Sequence, residues 1–237
     1  MVRVTARAIH RKKAGLLRRS EIQILKRLVL GGFSVLLLAF LLLSWHGTGE
    51  LQQESTVERQ WPPLVMKGGD PYIRTLMRTI SASESNVSEP YFVVYGGEYV
   101  SDLSHHPNRC VRITAGPNQG RCSTAAGRYQ FLSSTWVEKA KRYHPKPLRF
   151  MFWEEYSFEP EYQDAVVYAW LSDRQFWKAD ISGLLRQGKL KEVLRLLSGT
   201  WTSLGYGIEN NSMTGALPEI YQKILKEELR TTNAEES

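Results

Sequence analysis

Asp70–Asn86, DPYIRTLMRTISASESN, reads as one amphipathic helix that ends on a carboxylic acid. Asp70 is a favoured N-cap residue. Pro71 suits the first helical position, where a backbone N–H would have no intrahelical partner. Ile73, Leu76, Met77 and Ile80 recur at i, i+3, i+4 and i+7, giving one apolar stripe for a core. Glu84 continues that stripe one turn past Ile80, so its side chain is aimed inward at or just beyond the helix end. Partial burial disfavours the charged form of a carboxyl group, and a general acid working near neutral pH needs that. Taken by itself, the helix favours the plainer alternative, an exposed Glu on a frayed end. The residues that follow reverse that preference.

Upstream, charge is segregated. Residues 1–27 hold nine Lys or Arg against the single acid Glu21, a net +8. The whole chain is +7, so everything after residue 27 sums to −1. The basic character therefore belongs to the leading tail, and a nucleic-acid partner, which would need a basic patch on the domain, is not expected. Leu28–Trp45, LVLGGFSVLLLAFLLLSW, is 18 residues without a charge. As a helix it measures about 27 Å, enough to cross a hydrocarbon core. The flanking Lys and Arg put the N-terminus in the cytoplasm and the rest of the chain outside. A cleaved signal peptide is the alternative, but the leading segment is long and no A-x-A-like site follows. Residues 46–69, with Pro62-Pro63 and Gly68-Gly69, read as a linker of 24 residues, at most about 80 Å long when extended. Trp61 and Val65 are its candidates for docking on the domain.

Downstream, Tyr91–Asp102 flanks Gly96-Gly97 with β-branched and aromatic residues, the pattern of a short hairpin. Cys110 and Cys122 bracket a Gly- and Pro-containing excursion. On the oxidising side of a membrane they can pair. Two free thiols, or a zinc site with His105 and His106, are the alternatives, and the spacing fits no familiar structural-zinc pattern. Thr135 and Glu138 suggest a capping box for a helix through about Arg142. Pro160 starts another helix, with Tyr162, Ala165, Val166, Ala169 and Trp170 facing inward. Further helices fit Gly188–Leu197 and Pro218–Leu229, the last with Ile220, Tyr221, Ile224 and Leu225 as its stripe. Trp136 and Trp201 are read as core residues.

Five stretches then stand together: SASES around Glu84, YGGEYVSDLSHHP (Tyr95–Pro107), STAAGRYQFLSSTW (Ser123–Trp136), FEPEYQDAV (Phe158–Val166) and TWTSLGYG (Thr200–Gly207). In this order and spacing the chain resembles the lambda-endolysin-like, lysozyme-like family of lytic transglycosylases across nearly all of residues 70–230. The resemblance implies that Glu84 is the catalytic acid. It implies that the segments holding Tyr129, Gln130 and Tyr206 line a sugar cleft and contact substrate. One departure is visible: only Ser85–Pro90 separate the Glu84 helix from Tyr91, a shorter interval than in the family's lambda member, which shortens one lip of the cleft.

Glycoside cleavage ordinarily takes two carboxyl groups. Glu98, Asp102 and Asp164 are the candidates for a second, and each has an ordinary alternative: a solvated Glu, a cap for the turn at Ser104, and an acid in a helix's first turn. The resemblance implies lytic transglycosylation, in which substrate supplies the nucleophile and one acid acts alone. The expectations are therefore these. The fold class is α+β, lysozyme-like and mostly helical, with a small β-hairpin, preceded by a single transmembrane helix. The chain divides into a cytoplasmic tail (1–27), a signal anchor (28–45), a linker (46–69), a catalytic domain (70–230) and a C-terminal tail (231–237). The partners are peptidoglycan glycan strands and, through 28–45, membrane lipid, with no metal or cofactor. The location is the cytoplasmic membrane, with the domain on its outer side. A hydrolytic muramidase and a non-catalytic wall-binding module are the rival functions.

Overall fold

The computed structural model describes residues 60–150, 153–206 and 213–235, with the side chains of 148–150, 153, 154 and 235 not described. The chain separates into Met1–Gln53 and Glu54–Ser237, and all described residues belong to the second unit. The tail at 1–27 and the apolar run Leu28–Trp45 lie outside the described residues. Among those described, no helix is long and apolar enough to cross a membrane.

The domain is built around α1, Pro71–Glu84. Its start follows the local chemistry. The Asp70 carboxylate accepts from the N–H groups of Tyr72 at 2.8 Å and Ile73 at 3.4 Å. Its other oxygen accepts from Ser182 Oγ at 2.6 Å and Arg186 Nη2 at 2.8 Å. Burial works against the charge on Asp70, but the bonds from Ser182, Arg186 and the Tyr72 N–H outweigh it and hold the carboxyl below its ordinary range. Ile73, Leu76, Met77 and Ile80 are buried, as the stripe requires.

The opposite face of α1 departs from the expected amphipathic helix, because Thr75, Arg78, Thr79, Ser81 and Ser83 are buried too. Such a helix has to satisfy polar groups inside the protein. The Thr75 and Thr79 hydroxyls donate back to the carbonyls of Pro71 and Thr75 at 2.7 and 2.8 Å. Arg78 donates to Glu227 and Glu228, both at 2.9 Å through Nη1, and to the Trp61 carbonyl at 2.6 Å. Arg74 pairs with Glu228 at 2.6 Å and donates to the carbonyls of Met66 and Gly68 at 2.9 and 3.1 Å. The same two arginines thus fasten two neighbours to α1. One is the C-terminal helix; the other is the segment before Asp70.

That segment corrects the linker boundary. Trp61 and Leu64 are buried in the core, and the carbonyls and N–H groups of 61–68 bond to domain side chains, so the folded part begins by Trp61 and not at Asp70. Trp61 docks as anticipated, whereas Val65 stays exposed and only its backbone is held.

The other helices, in chain order, are α2 Ser133–Tyr143, α3 Pro160–Ser172, α4 Arg174–Trp177, α5 Ile181–Arg186, α6 Leu190–Leu197 and α7 Leu217–Glu235. Helix α2 begins two residues before the expected capping box, with no side-chain cap. Glu138 instead pairs with Lys139 at 2.6 Å, and the Lys139 ammonium lies 4.5 Å from the Trp170 ring centre. Helices α4 and α5 were not legible: each is too short to show a period, and each is started by an Asp cap, Asp173 or Asp180. Trp136, Trp170, Trp177 and Trp201 join the core, bearing out the reading of Trp136 and Trp201.

The β-structure is small and mostly elsewhere than expected. Strand β1 (Val111–Arg112) pairs antiparallel with β2 (Cys122–Ser123), and β3 (Leu148–Phe150) with β4 (Trp153–Glu155). At Gly96-Gly97 the turn forms, with both glycines at positive φ and Val94 N–H donating to the Glu98 carbonyl at 2.8 Å. The expected hairpin reduces there to the single bridge Val93↔Tyr99, because Val94 turns away to pair with Ala126. Cys110 and Cys122 are disulfide-bonded, closing the β1–β2 excursion. The zinc alternative thereby loses both sulfur ligands, and His106 is committed to the Phe131 carbonyl at 2.8 Å.

Candidate active site

Glu84 is the last residue of α1 and is half-buried. The helix stops there because Ser85 leaves the helical region, at φ −144° and ψ 64°, with its N–H closing on the Ser81 carbonyl. Ser85 also sends its hydroxyl across to the Arg128 carbonyl at 2.7 Å. This bond ties the acid-bearing end of α1 to the turn 125–131.

That turn is fixed from below. Ala126 bridges Phe131, and Gly127 sits at φ +72°, where any side chain is strained and a Cβ would collide with Gln163 and Phe158. Gln163 fills the space under the turn. It accepts from the Arg128 N–H at 2.9 Å and donates to the carbonyls of Tyr91 and Phe158 at 3.1 and 2.8 Å.

Beside it, Asp164 is fully buried on α3. One of its oxygens accepts from Tyr129 Oη at 2.6 Å. The other accepts from Tyr91 Oη at 2.8 Å and from the N–H groups of Val65 and Met66 at 2.9 and 3.1 Å. Arg128, equally buried, donates to the Pro63 carbonyl at 2.9 Å, the Tyr91 hydroxyl at 3.0 Å and the Pro62 carbonyl. Burial, reinforced by the nearby Asp164 carboxylate, pushes the Tyr129 hydroxyl well above its ordinary titration range.

These contacts correct one expected substrate residue. Tyr129 has no exposed surface and its hydroxyl is spent on Asp164, so it is a strut beneath the turn and not a cleft wall. Gln130 and Tyr206 differ from it. Gln130 is half-exposed at φ +47°, its amide folded back to the Gly127 carbonyl at 3.0 Å. Tyr206 is 50% exposed at φ +67°, with the Arg195 guanidinium 4.9 Å from its ring centre. Among the described residues only Asn108 and Lys178 share this backbone region without being glycine. Strained backbone of this sort collects at ligand-binding positions.

Trp201–Tyr206 connects the turn to the end of α1. Trp201 is buried and donates to the Tyr129 carbonyl at 3.1 Å. A 3₁₀ turn, Thr202–Leu204, follows, and within it the Ser203 hydroxyl donates to Glu84 Oε1. Sequence reasoning passed over Ser203, Ser85, Arg128 and Gln163 as partners of the site and weighed Asp164 only as a second carboxyl group. All five nonetheless lie inside the stretches that carried the family resemblance, which was the available signal.

Of the three candidates for a second carboxyl group, Asp102 and Asp164 are engaged in local structure and Glu98 lies exposed. Glu98 pairs with Arg109 at 2.6 Å on the surface. Asp102 caps the turn as expected, accepting from the Ser104 N–H at 2.9 Å, and the Ser104 hydroxyl and N–H hold its carboxyl below the ordinary range. Asp164 is enclosed in the buried network.

A family model described as Endolysin matches residues 74–226. The endolysin of Escherichia phage lambda is 32% identical over 120 residues, which cover 49% of this chain and 64% of that protein, a little under two thirds of its length. Among solved structures, a lysozyme from bacteriophage lambda is 23% identical with a TM-score of 0.46, covering 69% of this chain and 97% of its own. A bacteriophage lambda lysozyme complexed with a chitohexasaccharide is 24% identical with a TM-score of 0.49, covering 67% of this chain and 97% of its own.

Proposed function

Because the chain belongs to the Endolysin family, we propose that its domain is a lysozyme-like glycosidase that cleaves peptidoglycan glycan strands, with Glu84 as the general acid. The observation that carries this reading is the placement of Glu84. A half-buried carboxyl closes the central helix and is gripped by Ser203, beside the Ser85–Arg128 tie to the turn that presents Gln130. Glu84 protonates the oxygen bridging N-acetylmuramic acid and N-acetylglucosamine as the C1–O bond breaks. In the transglycosylase form of the reaction, the muramyl C6 hydroxyl then attacks C1. Its proton passes to the Glu84 carboxylate and a 1,6-anhydro ring closes. One group serving as acid and then base is ordinary acid–base catalysis. The engagement of Asp102 at the Ser104 turn and of Asp164 in the buried network supports, among the described residues, this form over one needing a second carboxyl group. Gln130 and Tyr206 are the proposed glycan contacts.

Mass spectrometry of muropeptides released by the full-length protein in detergent tests the reading. Anhydro products are expected, each one water lighter than a hydrolytic product. Reducing-end products identify a muramidase instead. Release by wild type and none by Glu84→Gln supports the acid, while near-normal turnover in Glu84→Gln refutes it. Absence of release by wild type leaves a wall-binding module.

We further propose that Leu28–Trp45 anchors the chain in the cytoplasmic membrane, with the +8 leading segment inside and the domain outside. Elution of the protein by an alkaline carbonate wash, or protection of the domain from protease in intact spheroplasts, contradicts this arrangement.

A further inference from the structure

We propose that the disulfide-closed β1–β2 excursion is a basic face that holds the carboxylates of the peptide stems on a bound glycan strand, an inference that rests on the peptidoglycan reading above. Residues 103–137 contain four arginines and no Asp or Glu, in a chain whose residues after 27 sum to −1. Arg128 is buried and bonded to the Pro63 carbonyl and the Tyr91 hydroxyl. The other three, Arg109, Arg112 and Arg121, are exposed on the excursion. Arg109 pairs with Glu98 at 2.6 Å. Arg121 donates to the neutral Asn118 side chain at 3.3 Å, and Arg112 has no acidic partner among the described residues. Two guanidinium groups on one hairpin are therefore left without a counter-charge.

Their backbone is fixed. The Cys110–Cys122 disulfide closes the base of the excursion, with the two Cα atoms 5.4 Å apart. Arg112 stands opposite Cys122 in the β1–β2 register. On the next rung the Ile113 N–H donates to the Arg121 carbonyl and the Gly120 N–H to the Ile113 carbonyl, both at 2.9 Å. Arg112 and Arg121 thus lie on adjacent rungs. Val111 and Ile113 are only half-buried, so the cross-link supplies order that a core gives elsewhere. At its far end the excursion runs straight into the turn of the candidate site. There the Ala125 carbonyl accepts from the Tyr95 N–H at 2.8 Å, Ala126 bridges Val94, and Gln130, a proposed glycan contact, follows. One held length of chain carries both the arginines and a residue offered to the sugar.

The partner follows from its chemistry. A peptidoglycan strand bears a peptide on the lactyl group of its N-acetylmuramic acid residues, and the free carboxylates of those peptides are anionic. A guanidinium matches a carboxylate in a two-point fork, and every exposed Lys or Arg on the excursion is an arginine. No bond is made or broken at this face. It adds affinity for stem-bearing strands and leaves the acid chemistry to Glu84.

The test uses full-length protein in detergent and three solubilised, uncross-linked strands: with intact stems, with stems removed by an amidase, and with stem carboxylates converted to amides. Binding is measured in the Glu84→Gln background, where the strands stay whole. Intact strands should bind about 3- to 20-fold more tightly than stripped or amidated ones, as two exposed ion pairs allow, and salt should shrink the difference. Arg112→Gln/Arg121→Gln should abolish the preference while keeping affinity for stripped strands within about twofold. With Glu84 intact, the same pair should raise KM for intact strands and leave kcat nearly unchanged. Arg112→Glu/Arg121→Glu should reverse the preference. The amidated strands test the charge without any substitution. Equal affinity for intact and amidated strands, or a preference that survives the double substitution, overturns the inference and leaves the glycosidase reading standing. Parallel loss of intact and stripped strands assigns the arginines to the sugar backbone and overturns it as well. Wild type that cleaves no strand, or Glu84→Gln that cleaves normally, overturns the reading beneath it.

Discussion

Replacing Asp164 by Ala should unfold much of what presents the candidate site. The carboxylate accepts four hydrogen bonds at 2.6–3.1 Å, from Tyr129, Tyr91, Val65 and Met66, in a fully buried position. Removing it strands the two tyrosine hydroxyls and two backbone donors. It also leaves the buried Arg128 guanidinium without the nearby negative charge. An unpaired buried donor costs about 1–3 kcal/mol, and Arg128, which bonds to Tyr91, Pro62 and Pro63 rather than to Asp164 directly, loses only a nearby attraction. These terms overlap, since Tyr91 also bonds to Arg128 and to the Val65 N–H at 3.0 Å each and stays partly satisfied. About 4–6 kcal/mol is a fair total, comparable with the whole stability of a small domain. The assay is denaturant unfolding of the full-length protein in detergent, followed by near-ultraviolet circular dichroism. Limited proteolysis adds a regional readout, because the variant should be cut between Trp61 and Gly69 before wild type is. Tyr91→Phe removes one member and should cost about 1–2 kcal/mol. An Asp164→Ala midpoint within about 1 kcal/mol of wild type, with residues 61–69 still protected, would refute the view that this network holds the segment and the turn together.

Two further outcomes are expected. Reduction of Cys110–Cys122, or the Cys110→Ser/Cys122→Ser pair, should destabilise the domain by about 3 kcal/mol on the chain-entropy treatment for a separation of 12 residues; intact mass with alkylation before and after reductant, together with thermal midpoints, checks both the bond and its worth. His106 and His144 are both held as neutral rings, Nδ1 accepting from the N–H of Asn108 or Lys146 and Nε2 donating to the carbonyl of Phe131 or Ser157. Burial lowers both below the ordinary histidine value of 6.5. Their contribution to stability is therefore complete above about pH 6.5 and lost as pH falls through the depressed folded values, because the unfolded chain takes up the protons first. Thermal midpoints from pH 8 to 5 should fall on the acid side, and a flat profile would contradict the assignment.

The sequence by itself determined whatever nearest neighbours encode. Asp70-Pro71 starts α1 and the i, i+3, i+4, i+7 stripe sinks it, since cap and period are written within a few turns. The segregation of charge into residues 1–27 is likewise plain in the primary order. The burial of Trp136 and Trp201 also followed from residue type. Tertiary structure decided everything that depends on who lies opposite. Tyr129 and Tyr206 look alike as tyrosines in Gly-flanked loops. One is sealed over Asp164 and the other is half-exposed, because α3 passes beneath the first. Asp164 reads as a helix-start acid until Val65, 99 residues earlier, is found bonded to it. The segment after Trp61 reads as linker because its attachments to Arg74, Arg78 and Arg128 run through backbone carbonyls, which every residue possesses and no sequence pattern marks. The grip of Ser203 on Glu84 spans 119 residues. A hydroxyl has no periodicity and no charge to announce its partner, and only the packing of the Trp201–Leu204 turn against the end of α1 brings the two together.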